Sequence, residues 1–160
     1  MKKLISIAVL LLALSVCAPV VLAQGTVRSG PDPSTLRDPE LEKDSMHNLE
    51  VARNYFKLKK AYVASLKRTE EIIAGNPTFT RIDEALFIAG SSSLSLALNK
   101  GKQPSSLYIS YDGTTKKTLT AEEFREMARD YLTRLVSDYP DSSFRGQAED
   151  ALKLVGAKKQ

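Results

Sequence analysis

The residues that could carry chemistry are few, and their spacing does not match a catalytic site. The chain of 160 residues contains one histidine, His47, and one cysteine, Cys17. This pair cannot supply the ligands of a zinc site built on cysteine and histidine. The run Ser91–Ser93 lacks the Gly-x-Ser-x-Gly pattern of a nucleophile elbow, and neighbouring acids such as Glu70-Glu71 point to different faces of a helix. We therefore expect no enzymatic activity, no metal site and no cofactor.

The first 23 residues have the pattern of a secretory signal peptide. Two lysines precede an apolar run over residues 4–16, and Ala23 provides a small residue at the cleavage site. We expect segment 1–23 to be removed. The net charge would then fall from +4 to +2, because two lysines leave with it, so the mature chain is not basic enough to favour nucleic acid as a partner.

An alternative cleavage just before Cys17 would attach a lipid to this residue and tether the protein to a membrane. Sites of that kind carry a small residue before the cysteine, whereas this chain has the branched Val16. We therefore favour cleavage after Ala23. The following residues 24–37 hold glycine and proline but almost no large apolar side chains, which predicts a flexible tail.

From residue 38 to residue 157 the sequence predicts one helical domain. Apolar residues recur there at steps of three and four. Asp38-Pro39 is a helix start with an acidic N-cap, and Thr120 with Glu123 forms a capping box. The predicted helices cover about residues 38–58, 60–74, 81–98, 120–138 and 142–155. No segment of this domain approaches the roughly 20 consecutive apolar residues that a membrane-spanning helix needs.

A small β-hairpin is predicted between the third and fourth helices, at about residues 104–119. The stretches 106–111 and 114–119 are rich in β-forming residues. Between them, Asp112-Gly113 is the two-residue signature of a type I′ turn. Because an isolated hairpin is marginal in water, we expect this one to pack against the helices.

Large and small residues recur at matching positions of successive helix pairs. Leu49 and Ala52 on the first helix correspond to Leu86 and Ala89 on the third. This spacing is that of the tetratricopeptide repeat, in which small residues let paired helices approach closely. The small run Gly90–Ser93 permits the same approach on the third helix. The predicted fold class is therefore all-α, with tetratricopeptide-like helical hairpin repeats, about five helices in all, and a hairpin insertion.

Several stretches of the helical domain also match the pattern of one known family. They are residues 48–55, 61–66, 83–86 and 135–142, and the last contains the most specific run, Asp-Tyr-Pro-Asp-Ser. Over roughly residues 40 to 155 the chain resembles the BamD (YfiO) outer-membrane assembly lipoproteins. The resemblance implies a periplasm-facing tetratricopeptide scaffold that helps assemble β-barrel proteins into the outer membrane. Related proteins of similar motif serve the Tol–Pal envelope system.

The candidate partner-binding surface is the face lined by the first helix of each pair. Its residues are His47, Glu50, Asn54 and Lys57 from the first helix, and Glu84, Phe87, Ser91 and Leu94 from the third. A groove with mixed charge and an apolar floor suits an extended peptide or a partner helix. For each polar residue we favour simple solvation, and for Phe87 and Leu94 we favour contact with a neighbouring helix or the hairpin.

The hairpin contributes the other candidate residues, Tyr108 and Tyr111, together with Ile109 and two lysines. Its simpler role, which we favour, is to cover the open edge of a short helical array. Its more specific role is partner recognition, including strand addition to a β-protein.

Taken together, the sequence predicts an exported protein-interaction scaffold of the bacterial envelope, located in the periplasm. The expected partners are proteins, such as outer-membrane assembly components or extended peptides, and membrane contact is expected only through a lipid on Cys17. One alternative is an accessory protein of the Tol–Pal type. Another is a self-associating structural module, because basic residues predominate over positions 50–71 and acidic residues over 122–150.

Overall fold

The computed structural model describes residues 37–156, so the predicted signal peptide, Cys17 and nearly all of the predicted tail lie outside the described residues. The helices are α1 (Pro39–Arg53), α2 (Tyr62–Gly75), α3 (Ile82–Ala97), α4 (Ala121–Asp138) and α5 (Arg145–Val155), and the strands are β1 (Ile109–Asp112) and β2 (Thr115–Thr118). The predicted architecture of five helices with a hairpin between the third and fourth is confirmed. Within residues 37–156, no helix is long and apolar enough to cross a membrane.

Two helices begin where their capping residues predicted. The Asp38 carboxylate accepts a hydrogen bond of 2.9 Å from the Glu40 backbone N–H, and Pro39 occupies the first helical position of α1. In α4 the Thr120 hydroxyl accepts from the Glu123 N–H, and the Glu123 carboxylate accepts from the Thr120 N–H at 2.7 Å. Both arrangements satisfy backbone donors that a helix start leaves unpaired.

The first predicted helix does not stay α-helical to residue 58. It changes at Arg53 into a π-helical turn, Asn54–Lys59, and Lys60 then adopts a left-handed conformation with φ of 50°. The backbone N–H groups of Lys60 and Ala61 both donate to the carbonyl of Tyr55. Wide turns of this type often occur at functional sites.

The last helix begins three residues later than predicted. The Ser142 hydroxyl donates to the Asp83 carboxylate at 2.6 Å and also accepts from the Phe144 N–H. Ser142 therefore forms a turn that joins the α4–α5 connection to the start of α3, and the helix starts at Arg145.

Each helix packs mainly against the next one along the chain, and α3 has contacts with every other helix. α3 and α4 approach each other closely at Gly90. A Cβ atom at this position would lie 2.6 Å from Cγ of Leu132 and 3.3 Å from the Ala128 carbonyl oxygen. The predicted close approach at the small-residue run is therefore confirmed at Gly90, where the absence of a side chain is required.

The hairpin differs from its prediction in the turn. Asp112 pairs with Thr115, so the two loop residues are Gly113 and Thr114 rather than Asp112 and Gly113. Gly113 has a φ of 59°, and Thr114 has no positive φ. A positive φ only at the first loop residue is the pattern of a type II′ turn, not of the predicted type I′ turn.

The hairpin packs on the helices, as expected, through the residue that precedes β1. The Tyr108 ring lies edge-on to Phe124 of α4, with 5.5 Å between the ring centroids. Both side chains belong to a second hydrophobic cluster, which also includes Leu66 of α2 and Leu96 of α3. The segment 106–108, predicted as strand, instead ends a short 3₁₀ turn at Ser105–Leu107.

Candidate partner-binding face

A salt-bridged cluster joins α1 to α3 at the centre of the candidate face. The Arg53 guanidinium donates to both oxygens of Glu84, with Nε–Oε1 at 2.5 Å and Nη2–Oε2 at 2.7 Å. Arg81, one turn before Glu84, places its Nη2 atom 2.5 Å from Oε2. Glu84 is only 4% exposed, so a buried carboxylate is held between two cations. Bidentate pairs of this kind fix side-chain orientation as well as charge.

The ionised form of Glu84 is favoured by its neighbours. Burial alone would raise the pKa of this carboxyl, but the hydrogen bond from Arg53 and the positive charges of Arg53, Arg81 and Lys57 lower it below the ordinary value. Glu84 therefore carries its charge at neutral pH and stays bound to the guanidinium groups.

A shallow depression of about 390 Å³ lies beside this cluster. Its lining consists of Glu50, Arg53, Asn54, Lys57 and Leu58. These residues recur at steps of three and four, so the depression follows one stripe along α1 and its π-helical turn. Leu58 is 75% exposed, which places a large apolar side chain at one end of a charged surface.

The other end of the candidate face is aromatic. Phe87 on α3 stacks on Phe144 at the start of α5, with 5.1 Å between the ring centroids and 22° between the ring planes. Both rings are half-buried against the main core. Phe87 thus has a packing partner in the neighbouring helix, and an exposed ring edge for a bound chain is secondary to that contact.

The structure brings together part of the predicted set and separates the rest. Glu50, Asn54 and Lys57 line the same depression, and His47 is exposed on the same stripe of α1. On α3, Glu84 is buried in its ion pairs and Leu94 is 6% exposed, whereas Ser91 is half-buried. Of the two hairpin tyrosines, Tyr111 is 65% exposed and Tyr108 only 7%.

Tyr108 is held in place by a half-buried carboxylate on α2. Its hydroxyl donates to Oε1 of Glu70 at 2.7 Å, and the hydroxyl of Tyr131 on α4 donates to the same oxygen at 3.3 Å. Burial raises the pKa of both tyrosines, and the charge of Glu70 adds to that effect. Both hydroxyls therefore remain protonated donors, and the three residues join α2, α4 and the base of the hairpin.

We expect Glu70 to weaken the fold as pH rises. Burial raises its pKa above the ordinary 4.5, against the opposing effects of Tyr108, Tyr131 and Lys67. For an acid with a raised folded-state pKa, the contribution to stability is fully present below the unfolded pKa and is lost as pH rises through the folded pKa. Glu70→Gln keeps an acceptor for the tyrosines without a titrating charge, so this variant should gain stability relative to wild type as pH rises above the ordinary pKa of 4.5.

Urea unfolding of both proteins across that pH range measures this difference. The adjacent Glu71, which pairs with Arg68 on the surface, provides the control variant Glu71→Gln, for which no such gain is expected. If the wild type instead became more stable relative to Glu70→Gln as pH rises, the Glu70 pKa would not be raised in the folded state.

The Asp-Tyr-Pro-Asp-Ser run lies at a second depression, of about 350 Å³, between the start of α3 and the end of α4 with the connection that follows it. Its lining includes three aspartates, Asp83, Asp138 and Asp141. Among residues 37–156, however, no group of histidine, cysteine, aspartate or glutamate has the arrangement to hold a metal ion. The run contacts α3 through the Ser142–Asp83 hydrogen bond, which joins the α4–α5 connection to the start of α3.

No protein-family model, no curated protein and no solved structure matches this chain.

Three residues of the face were not among the candidates from sequence. Arg53 and Leu58 lie on the same helical stripe as Glu50 and Lys57, so extending that stripe would have included them. Arg81 lies three residues before Glu84 and could have been suspected from the charge pair alone. Sequence spacing does not reveal that Glu84 also meets Arg53, 31 residues away.

Proposed function

We propose that the protein is an exported interaction scaffold of the bacterial cell envelope, which binds a partner polypeptide at the depression on α1. The observation that carries this proposal is the exposed stripe Glu50, Asn54, Lys57 and Leu58, set against the Arg53–Glu84 cluster. A mixed-charge surface with an exposed leucine suits a peptide or helix that offers both an acidic and an apolar side chain.

We further propose that α1–α2 and α3–α4 are two tetratricopeptide-type repeats and that α5 is a capping helix. The fully buried small residues Ala52, Ala128 and Ala148, at the contacts between helices, support this assignment. So does the packing of each helix on its neighbour in the chain, since repeat proteins build their core from such contacts.

The envelope assignment rests on the sequence pattern of residues 1–23 and on the resemblance to the BamD (YfiO) family. We propose the periplasm as the compartment and outer-membrane assembly components as the class of partner. A tether through Cys17 belongs to the alternative cleavage, which lipid labelling of wild type and Cys17→Ala would distinguish.

Site-specific photo-crosslinking in cells tests the binding face. A photoreactive amino acid at position 54, in the depression, should crosslink the full chain to a defined envelope protein. Lys57→Glu should lower the crosslinked yield about tenfold, because residues that contribute most to an interface cost about 1–2 kcal/mol or more when removed.

The matched control is Lys43→Glu, a charge reversal on the same helix at a side chain that is 77% exposed. It should leave the yield unchanged. An equal loss in both variants, or equal crosslinking from a photoreactive group at position 153 on α5, would sink the proposed face.

A further inference from the structure

A second surface, which shares only Leu58 with the depression on α1, combines lysines with exposed leucines. It is formed by two chain connections: the α1–α2 turn and the loop that follows α3. We call it the lysine corner, and its members are Leu58, Lys59, Lys60, Leu98, Lys100 and Lys102.

Backbone contacts hold the two connections side by side. The Lys102 N–H donates to the Lys60 carbonyl at 2.9 Å. Gly101 has a φ of 97°, and a Cβ atom there would lie 2.6 Å from the same carbonyl oxygen and 2.5 Å from the Tyr62 ring. The Gln103 side chain also accepts from the Ala64 N–H. The lysine corner is therefore one surface rather than two independent loops.

The side chains of the lysine corner are exposed and carry one sign of charge. Leu58 is 75% exposed and Leu98 is 39% exposed, and all four lysines are exposed. None of these lysines forms an ion pair with another residue of the described range 37–156, although Lys59 lies 5.0 Å from the Tyr55 ring centroid. The sequence has no acidic residue over positions 51–69 or 85–111.

We propose that the lysine corner docks the domain on the surface of a membrane that contains anionic phospholipids. Lysines near such a surface are attracted to the headgroups. The leucines on the two turns are placed to enter the boundary between headgroups and acyl chains. This contact requires neither a spanning helix nor a lipid on Cys17.

The residue types favour a lipid surface over an acidic protein. Protein interfaces are enriched in arginine and large aromatic residues, which make directed contacts. In the lysine corner every cationic residue is a lysine and every apolar residue is a leucine. Flexible ammonium groups suit a mobile layer of phosphate headgroups, which demands no fixed geometry. This proposal uses lysines that are not in the binding face on α1, and the two surfaces share Leu58, so the lysine variants are the test that separates them.

Vesicle sedimentation tests the proposal. The protein is the full chain with Cys17→Ala, expressed in bacteria and purified in the form that the cells accumulate. Phosphatidylcholine vesicles that contain phosphatidylglycerol should bind it, binding should decrease at high salt, and vesicles of phosphatidylcholine alone should bind it much less. Lys60→Gln with Lys100→Gln should weaken binding to the anionic vesicles about 25-fold, since each lysine near such a surface contributes roughly fivefold.

The matched control is Lys43→Gln with Lys153→Gln, which removes the same charge from side chains that are 77% and 75% exposed elsewhere on the domain. It should weaken binding less than twofold, and circular dichroism melting checks that all variants are folded. Leu58→Ser with Leu98→Ser should also weaken binding without a change in net charge. Equal losses in the lysine variants, equal binding to neutral vesicles, or binding only to an acidic polypeptide such as polyglutamate would each overturn the proposal.

Discussion

Replacing Gly90 by valine is expected to lower the free energy of unfolding by about 3 kcal/mol, the upper part of the range for overpacking a core. The glycine lies where α3 crosses α4, and the first added atom would already be 2.6 Å from Cγ of Leu132. The Ala128 carbonyl oxygen would lie 3.3 Å from the same added atom. Because the clash involves the branch point of the Leu132 side chain and not its far end, either Leu132 or the two helices would have to shift.

Urea unfolding of the variants measures this effect, and Gly146 provides the matched control. Gly146 lies in α5, and a Cβ atom added there would have nothing within 4 Å, so Gly146→Val should change stability by no more than about 0.5 kcal/mol. Combining Gly90→Val with Leu132→Ala should cost less than the two single changes added together, because the smaller residue makes room. If the losses in free energy of unfolding simply added, the valine at position 90 would not clash with Leu132.

Replacing Glu84 by alanine is expected to cost about 3 kcal/mol at neutral pH. The change leaves Arg53 and Arg81 facing each other without the carboxylate that both contact. Removing one partner of a buried ion pair costs roughly 3–5 kcal/mol. Because the Arg53 side chain is 24% exposed and that of Arg81 is 45% exposed, water compensates in part. We therefore expect a value near the lower limit.

The pH dependence of this loss has a defined sign. The folded-state pKa of Glu84 is lowered, so its contribution is present above the ordinary pKa of 4.5 and is lost as pH falls through the folded pKa. On acidification the wild type should therefore lose its advantage over Glu84→Gln, whereas relative to Glu70→Gln the wild type should gain stability. In a double-mutant cycle, Arg53→Met with Glu84→Met should cost less than the two single changes added together. A Glu84→Gln difference that is constant with pH would refute the ion-pair assignment.

Local signals in the sequence predicted the framework well. The Asp38 cap and the Thr120–Glu123 capping box depend on residues within one turn, so they could be identified without knowledge of the fold. The number of helices followed from apolar periodicity, and the insertion followed from a shift to β-forming residues. These features agree with the structure because each is decided by its own short segment.

The features that sequence could not predict depend on distant contacts. The Arg53–Glu84 pair joins positions 31 residues apart, and the Tyr131–Glu70 hydrogen bond joins positions 61 apart. Tyr108 was expected on the hairpin surface, but the strand begins at Ile109, three residues later than predicted, and the Tyr108 ring enters the core. Ser142 lies outside α5 because Asp83, 59 residues earlier, accepts its hydrogen bond.

The preference of each helix for its chain neighbours also bears on how the domain can assemble. Contacts between consecutive segments close short loops, which lose little chain entropy and favour rapid folding. A chain that emerges from its N-terminus can close α1 on α2 while later residues are still being delivered. α3, which has contacts with all the other helices, is the element on which the early and late halves of the domain meet.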